Sequence, residues 1–465
     1  MTIDKCANTP QFRPEWHFAP QRNWMNDPNG LVYFEGEYHL FYQYNPCGKE
    51  WGHMSWGHAV SADLVHWTEL PVAIPEGEQM IFSGGAVVDW DNSSGLGDGV
   101  APPIVAIYTA HHSATAIQSQ HVAYSHDKGR TWQSYSNNPV IDLGLEHFRD
   151  PKVFRHAASD AWIMVVALPR EHKVQFYRSP NLLEWTLVGD FGPAGATGGQ
   201  WECPDLIEIG IEGTGDESAT RWVLKVDIDK NLLAGGSGAQ YFVGTFDGFS
   251  FAVDSAEAPA DGAILDHGPD FYAAVTWSDL PPGHEGPILI GWLSNHQSGH
   301  SYPTHPWRGV QSVPRVLTLL LDNGHLKLKQ VPVTQYLQEA RQTGRFRQIV
   351  AESCGSVTVA ENQGCVAIDC DNGAWRPGRI RFLDGDTELA ALVIGEDHVA
   401  FARYATEAVH IDDYAREVLV GERQAKARTV LILLDKCTVE IFVDDGELVF
   451  SCCLFPVADL SIEWS

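Results

Sequence analysis

The chain has 465 residues, of which 60 are acidic and 31 basic, so its formal net charge at pH 7 is −29. A surface this acidic repels polyanions, which argues against nucleic acid and anionic membranes as partners. The length exceeds what one ordinary core fills, and a hydrophobic content of 44% excludes global disorder, so two domains are expected.

The N-terminus and the cysteines predict where the protein resides. The first residues, MTIDKCANTPQFRPEW, contain no apolar segment typical of a secretory signal. The nine cysteines are odd in number and form no C-x-x-C pair, which argues against a disulfide framework or a zinc ribbon. We therefore expect a cytoplasmic protein with free thiols. No apolar run is long enough to span a membrane, and the histidine spacing predicts neither a metal site nor a cofactor.

Short strands dominate the chain from its beginning. Segments such as GLVYF, YHLFYQY and PIVAIYT are rich in β-branched and aromatic residues, and Gly, Pro, Asn and Asp separate them. Three of the predicted strands are each followed by a segment that begins with Ser and ends with Trp, namely SADLVHW (61–67), SHDKGRTW (125–132) and SPNLLEW (179–185). Repeats of this length are typical of β-propeller blades.

A second repeat predicts the number of blades. A polar turn precedes an apolar strand at 26–34, 82–90, 149–155, 202–209 and 268–277. The first strand of each propeller blade lines the central channel, so these turns should meet at one mouth. We predict an all-β protein with a five-bladed β-propeller over 1–330, a linker with a short helix over 331–344, and a β-sandwich over 345–465.

Three carboxylates stand at the predicted blade starts: Asp27 in WMNDPNG, Asp150 in FRDPKVF and Glu202 in WECPDL. Each alone could be an ordinary turn residue. Together at one channel mouth they would repel one another and shift their pKa values, which is more typical of a functional site. Paired carboxylates indicate glycoside hydrolysis. Arg149 could hold Asp150 ionised or bind sugar hydroxyls, and Trp24, Trp51 and Trp201 could form apolar walls or belong to the core.

These three motifs, in this order, resemble the signatures of glycoside hydrolase family 32, the invertases, levanases and exo-inulinases. YHLFYQYNP, FSGGAVV and PTHPWRGVQSVPR also occur in family order, and the resemblance covers about residues 12–330. It implies a retaining, exo-acting β-fructofuranosidase that acts on sucrose, fructo-oligosaccharides, inulin or levan. Cytoplasmic location would favour sucrose and short oligosaccharides. The tail resembles the family's C-terminal sandwich more loosely, and it could bind sugar or only support the propeller.

The resemblance also assigns roles to residues. Asp27 would be the nucleophile, Glu202 the acid/base with a raised pKa, and Asp150 the stabiliser of the transition state, with the two reacting carboxyls about 5–5.5 Å apart. The predicted sugar-binding set is Trp24, Asn26, Gln43, Trp51, Phe82, Ser83, Arg149, Tyr272 and His296. Cys203 is interpreted as a packing residue, and the role of Asp205 stays open.

One departure from the family concerns the wall of the sugar pocket. His296 and Ser298 stand where the family carries Trp and Tyr, so Tyr302, Trp307 or another loop could supply the missing aromatic. Three alternatives also remain: a fructosyltransferase with the same intermediate, a phosphosucrose hydrolase with a basic patch, and a non-catalytic sugar-binding protein. The last would be expected to have lost one of the three acids.

Overall fold

The computed structural model describes residues 9–465 except 217, 233, 255–262, 352, 370–377, 396–397, 407–408, 410 and 421–428. Cys6 and Cys370 lie outside the described residues, and the other seven cysteines are free thiols. None of the helices within these ranges is long and apolar enough to cross a membrane.

In the described chain up to Pro332, most strands pair in antiparallel fashion with the strand that follows in the sequence. The first three sheets contain β1 (Asn23–Phe34), β2 (Glu37–Asn45), β3 (Ser55–Ser61) and β4 (Thr68–Ile74); β5 (Met80–Val88), β6 (Ile104–His111), β7 (Gln118–Ser125), β8 (Gln133–Ser134) and β9 (Ile141–Leu145); and β10 (Arg149–His156), β11 (Ala161–Leu168), β12 (Lys173–Ser179) and β13 (Thr186–Phe191).

A larger sheet completes this half of the molecule. It contains two antiparallel groups of strands, which a short parallel pairing of β14 with β22 joins. The strands that follow β13 are β14 (Trp201–Glu212), β15 (Thr220–Ile228), β16 (Gly238–Phe246), β17 (Phe251–Val253), β18 (Ala263–Ile264), β19 (Tyr272–Thr276), β20 (Ile288–Trp292), β21 (Trp307–Arg308), β22 (Arg315–Asp322) and β23 (His325–Pro332). Of these, β21 pairs in parallel with β1 instead, so the end of this region returns to its beginning.

Five strands form a closed ring at the centre of this half. Strand β1 contacts β5, β5 contacts β10, β10 contacts β14, β14 contacts β19, and β19 contacts β1 again. They are the five strands of the second repeat. The polar residues predicted as turns precede the strand only at β19, whereas in β1, β5, β10 and β14 they lie within the strand itself. The ring therefore brings together residues that are up to about 250 positions apart in the sequence.

The Ser-to-Trp repeat forms one turn three times, each time between the third and fourth strands of a sheet. The serine hydroxyl accepts a backbone N–H, and the tryptophan Nε1 donates to the carbonyl three residues before it. The residue that supplies this carbonyl has a positive φ in each copy: Leu64 (68°), Gly129 (72°) and Leu182 (64°).

One α-helix, α1 (Thr334–Gln342), follows β23 and buries Tyr336 and Ala340, which lie one helical turn apart. Single 3₁₀ turns occur at Pro10–Phe12, Ala157–Ser159, Pro169–Glu171, Gly299–Ser301 and Ala360–Asn362. The remaining strands are β24 (Phe346–Val350), β25 (Gly355–Val359), β26 (Gln363–Asp369), β27 (Arg379–Asp384), β28 (Thr387–Ile394), β29 (Val399–Arg403), β30 (Arg416–Val420), β31 (Thr429–Asp435), β32 (Thr438–Val443), β33 (Leu448–Cys453) and β34 (Leu460–Trp464).

These C-terminal strands form two sheets around a shared apolar core. One sheet has the order β24-β26-β31-β32-β33 and the other β25-β34-β27-β28-β29-β30. Phe382 and Phe401 of the second sheet and Ile432 and Phe450 of the first belong to one buried cluster. The apolar residues of each strand alternate with residues that face away from this core.

Buried ion pairs connect the two halves of the chain. Arg315 of β22 pairs with Asp266 and with Glu440 of β32, and Arg403 of β29 pairs with Asp270. All five side chains are fully buried. Removing one member would leave an uncompensated charge inside the protein, so these pairs fix how the C-terminal sheets sit against the ring.

Candidate active site

Each of the five ring strands pairs irregularly where it carries a predicted site residue. The register shifts between Met25 and Pro28, Ile81 and Gly84, Arg149 and Lys152, Glu202 and Asp205, and Tyr272 and Val275. Bulges of this kind re-aim side chains, and they often lie next to active sites. They lie at or beside Asp27, Ser83, Asp150, Glu202 and Tyr272, so five separate strands direct polar groups to one place.

Asp27 is held by two short side-chain contacts. Asn26 Nδ2 donates to its Oδ1 at 3.0 Å, and Ser83 Oγ donates to its Oδ2 at 2.6 Å. Burial raises the pKa of Asp27, these two hydrogen bonds lower it, and the charge of Glu202 raises it, which leaves the pKa above its ordinary value. The carboxylate is therefore fixed in orientation by donors on β1 and β5.

Glu202 is held by a cation and a phenol. Arg149 Nη2 and Nε donate to Glu202 Oε1 at 2.6 and 3.0 Å, and Tyr272 OH donates to Oε2 at 2.5 Å. Burial would raise the pKa of Glu202, but Arg149, His296 and the Tyr272 hydroxyl hold it below its ordinary value. The expectation of a raised pKa is wrong for this arrangement because Arg149 lies against Glu202.

Asp150 occupies a strained backbone position with φ of 65°. Its Oδ2 accepts the Cys203 N–H at 3.0 Å and lies 3.9 Å from Arg149 Nε. Burial raises its pKa to about 7 in spite of Arg149, and the charges of Glu202 and Asp27 add to the rise. Arg149 lowers the pKa of Asp150 but does not overcome the effect of burial, and its short contacts go to Glu202.

Cys203 and Asp205 lie beside this group without entering the cavity. The Cys203 Sγ lies 3.6 Å from Asp27 Oδ2 and 3.7 Å from Asp150 Oδ2, and burial raises the pKa of this thiol well above its ordinary value. Asp205 Oδ2 accepts the backbone N–H and the hydroxyl of Thr276, both at 2.8 Å, which ties β14 to β19.

Asp27, Asp150 and Glu202 line a cavity of about 470 Å³. All twelve predicted residues line it: Trp24, Asn26, Asp27, Gln43, Trp51, Phe82, Ser83, Arg149, Asp150, Glu202, Tyr272 and His296. Trp51 is 55% exposed and meets the edge of Phe82, which stacks on His111. The cavity thus combines acids, amide and hydroxyl groups with aromatic walls, a lining that suits a sugar.

Three aromatic residues that were candidates for the cavity wall belong to the core. Trp201 is fully buried and packs on Phe191 and Phe242, so it belongs to the core and not to the cavity wall. Tyr302 donates to Asp270 and packs on Phe455, and Trp307 is buried in the same cluster. Ser298 is also buried, bonded to Asn295.

Sequence reasoning missed six residues of the lining: His111, Gln118, His147, Trp292, Asn295 and His300. Trp292 packs on Trp24 with ring centroids 5.8 Å apart, so it provides an aromatic wall close to His296. Its position at the end of an apolar strand looks like core in the sequence. His111 belongs to the pair His111–His112, which is visible in the sequence but has no spacing that indicates a sugar site. Within the described residues no group of three or more metal-binding side chains is placed to hold an ion.

Comparisons with known proteins identify the family of this chain. Residues 17–332 match the model of the glycosyl hydrolases family 32 N-terminal domain. A levanase of Bacillus subtilis is 40% identical over 96% of this chain, which spans 66% of the levanase. An extracellular exo-inulinase of Aspergillus niger is 36% identical over 96% of this chain and 90% of its own length.

Two solved structures share the whole architecture. The exo-inulinase of Aspergillus awamori superimposes with a TM-score of 0.84 at 32% identity, covering 98% of this chain and 95% of its own. The β-fructofuranosidase of Schwanniomyces occidentalis, complexed with fructosyl-erythritol, gives a TM-score of 0.83 at 31% identity and covers 100% and 96% of the two chains. The chain therefore belongs to glycosyl hydrolase family 32, as a glycoside hydrolase of the fructofuranosidase type with a β-propeller domain.

Proposed function

We propose that this enzyme removes terminal β-D-fructose from sucrose, fructo-oligosaccharides, inulin or levan, with retention of configuration. The observation that carries the proposal is the placement of Asp27, Asp150 and Glu202, from three different strands, in one aromatic-walled cavity. The relatives named levanase and exo-inulinase support fructan as the substrate class. Asp27 attacks the anomeric carbon of fructose while Glu202 protonates the departing glycosidic oxygen. Glu202 then takes a proton from water, which attacks the fructosyl-enzyme and releases fructose and Asp27.

The hydrogen-bond network suggests how substrate prepares these two groups. Burial favours the neutral forms of Asp27 and Asp150, whereas Arg149 favours ionised Glu202. Fructose hydroxyls that donate to Asp27 and Asp150 stabilise their ionised forms, and a sugar oxygen that engages Arg149 weakens its hold on Glu202. Substrate binding then moves the proton to Glu202, where the first step needs it.

We extend the proposal to the architecture. The closed ring of β1, β5, β10, β14 and β19 supports a propeller of five blades, with the large sheet containing the fourth and fifth. Its limits are proposed at 1–330, with a linker over 331–344 and a β-sandwich over 345–465. The buried Arg315 and Arg403 pairs support a structural role for the sandwich, because they join it to the ring through groups that are sequestered from solvent.

A kinetic panel on sucrose, kestose, inulin and levan tests the activity. Fructose should be released from the end of each substrate that the enzyme accepts, and Asp27→Ala and Glu202→Ala should each lower turnover by roughly 10³-fold or more. Asp142→Ala, which changes an exposed carboxyl, is the control and should behave as the parent enzyme. Near-normal turnover in either active-site variant contradicts the assignment.

Methanol as acceptor tests the stereochemistry. A double displacement gives methyl β-D-fructofuranoside, which NMR distinguishes from the α-anomer. The α-anomer as first product would rule out retention.

A further inference from the structure

Lys225 lies in the middle of β15, and only 1% of its side chain is exposed to solvent. Its neighbours Val223, Leu224 and Val226 are core residues, so an ammonium group at this position is unexpected. A buried ammonium costs several kcal/mol unless every N–H finds an acceptor. Lys225 Nζ has three acceptors, one for each proton: the carbonyls of Cys203 and Ala274 and the carboxylate of Asp227.

Two of these acceptors belong to the bulges of the active site. The register shifts after Glu202 in β14 and after Tyr272 in β19, and Cys203 and Ala273 have φ values of 46° and 52°. A bulge releases carbonyls from the sheet ladder, and a released carbonyl inside the protein needs another donor. Lys225 satisfies one carbonyl of each bulge and so joins the two strands.

The two strands joined in this way carry Glu202 and Tyr272, whose side chains meet at 2.5 Å in the cavity. Cys203 is fixed from both sides, because its N–H donates to Asp150 and its carbonyl accepts from Lys225. The lysine lies beneath the cavity and is not part of its lining. It therefore acts on the site only through the backbone that it holds.

Asp227 supplies the opposite charge above its pKa, which burial raises to about 7 although Lys225 lowers it. It pairs with Glu202 across β14 and β15, is fully buried, and has one oxygen, Oδ1, without a hydrogen-bond partner among the described residues. The other titratable groups that interact with Asp227 are Asp27, Glu202, Tyr272 and Cys203, and Lys152 and Cys203 interact with Lys225. Without Asp227 the lysine charge would act on these carboxylates directly.

We propose that Lys225 and Asp227 are positioning residues, with Lys225 fixing the two bulges that set the Glu202–Tyr272 contact and Asp227 neutralising its charge beneath the site. This inference rests on the proposed function, in which Glu202 is the acid/base. Loss of the lysine would misplace Glu202 without removing any group that touches the sugar, so turnover should suffer more than substrate binding.

The test compares Lys225→Met, Asp227→Asn and the double variant with the parent enzyme on sucrose. Lys225→Met should lower kcat by about 100-fold with KM changed less than about threefold. The double variant leaves no buried charge unpaired and should therefore fold better than Lys225→Met, yet it should keep the low kcat. Full recovery of kcat in the double variant would overturn the proposal, since it would mean that charge alone matters.

Asp227→Asn is the variant that reads out the charge. Above pH 7, where Asp227 of the parent is ionised, the variant leaves the Lys225 charge uncompensated next to Glu202. This favours ionised Glu202 in the substrate complex and should move the alkaline limb of the kcat profile to lower pH. An unmoved limb contradicts the role given to Asp227. Should Lys225→Met fail to fold, the double variant decides the part given to Lys225.

Leu392→Ala in the C-terminal core is the control for lost stability, because it is buried far from the cavity lining. It should lower the melting temperature and leave kcat and the pH profile unchanged. A parent enzyme that releases no fructose from any of the four substrates would reject the proposed function. An active parent with unaffected variants would reject only this inference.

Discussion

At the scale of single residues, the site is a compromise between stability and chemistry. Asp27, Asp150 and Glu202 face one cavity, and burial raises the pKa of the first two. When neighbouring buried carboxylates cannot all be ionised without repulsion, the native state loses stability at neutral pH, which is common at active sites. Replacing one of these carboxylates with a permanently neutral group should therefore raise the unfolding free energy.

Asp150→Asn should stabilise the protein at alkaline pH while lowering its activity. The pKa of Asp150 is raised to about 7, so the native carboxyl is protonated below that pH, whereas the unfolded chain ionises near pH 4. The stability that this proton provides is full at low pH and is lost as the pH rises through 7. The gain in unfolding free energy of the variant over the parent should therefore grow by on the order of 2 kcal/mol between pH 5 and pH 8.

Denaturant unfolding at the two pH values measures this difference. Asp91→Asn, at an exposed carboxyl, is the matched control and should show no such growth. An Asp150→Asn variant that is equally affected at both pH values would show that the carboxyl is not strained in the native protein.

At the scale of elements, the Ser-to-Trp turn is a repeated device with a fixed backbone requirement. Two copies place a leucine at the positive-φ position and pay conformational strain, and the third uses Gly129. The leucines are fully buried, which offsets that strain. A Cβ at residue 129 would meet Phe41, His39 and His58 at 3.4–3.5 Å, which is ordinary contact, so backbone conformation decides the effect there.

Gly129→Ala should lower the unfolding free energy by about 1 kcal/mol, because alanine disfavours this left-handed conformation. Gly210→Ala in β14 is the control, since that site is exposed and a Cβ there meets no atom within 4 Å. Denaturant unfolding of both variants gives the comparison. Equal stabilities would mean that the turn relaxes to accommodate the side chain.

At the scale of the whole molecule, buried charges hold the C-terminal sheets against the ring. His17, which precedes β1, bonds Asp435 at 3.0 Å and Glu440 at 2.9 Å, and Glu440 also pairs with Arg315. Burial alone would lower the pKa of His17, but these two acids raise it to about 9. One imidazolium therefore links the beginning of the chain to β32, near its end.

His17→Gln should destabilise the protein most at low pH. A raised native pKa gives stability that is full below the unfolded value of about 6.5 and is lost as the pH rises through about 9. The loss of unfolding free energy in the variant should be on the order of 2–3 kcal/mol at pH 6 and clearly smaller at pH 9.5. His53→Gln, whose ring is 62% exposed beside Glu76, is the control at both pH values. A loss that does not depend on pH would contradict a charged His17.

The sequence by itself determined the family and, through the family resemblance, the residues expected at the site. Three short motifs in a fixed order carry this resemblance, and the structure places the twelve residues that it implied around one cavity. The motifs lie within β1, β10 and β14, and the bulges there direct their polar residues into the cavity.

Only the tertiary structure decided which groups pair and which aromatic residues face the sugar. Arg149 makes its short hydrogen bonds to Glu202, which lies 53 positions away in the sequence, and not to its neighbour Asp150. Trp201 packs into the core, whereas Trp292 lines the cavity. These outcomes depend on bulges, whose register shifts change the face to which the following side chains point. They also depend on contacts between strands that are far apart in the chain. The pKa of Glu202 is shifted in the direction opposite to the predicted one for the same reason. Burial raises this pKa, and the largest effect that lowers it is the charge of Arg149, which lies on another strand.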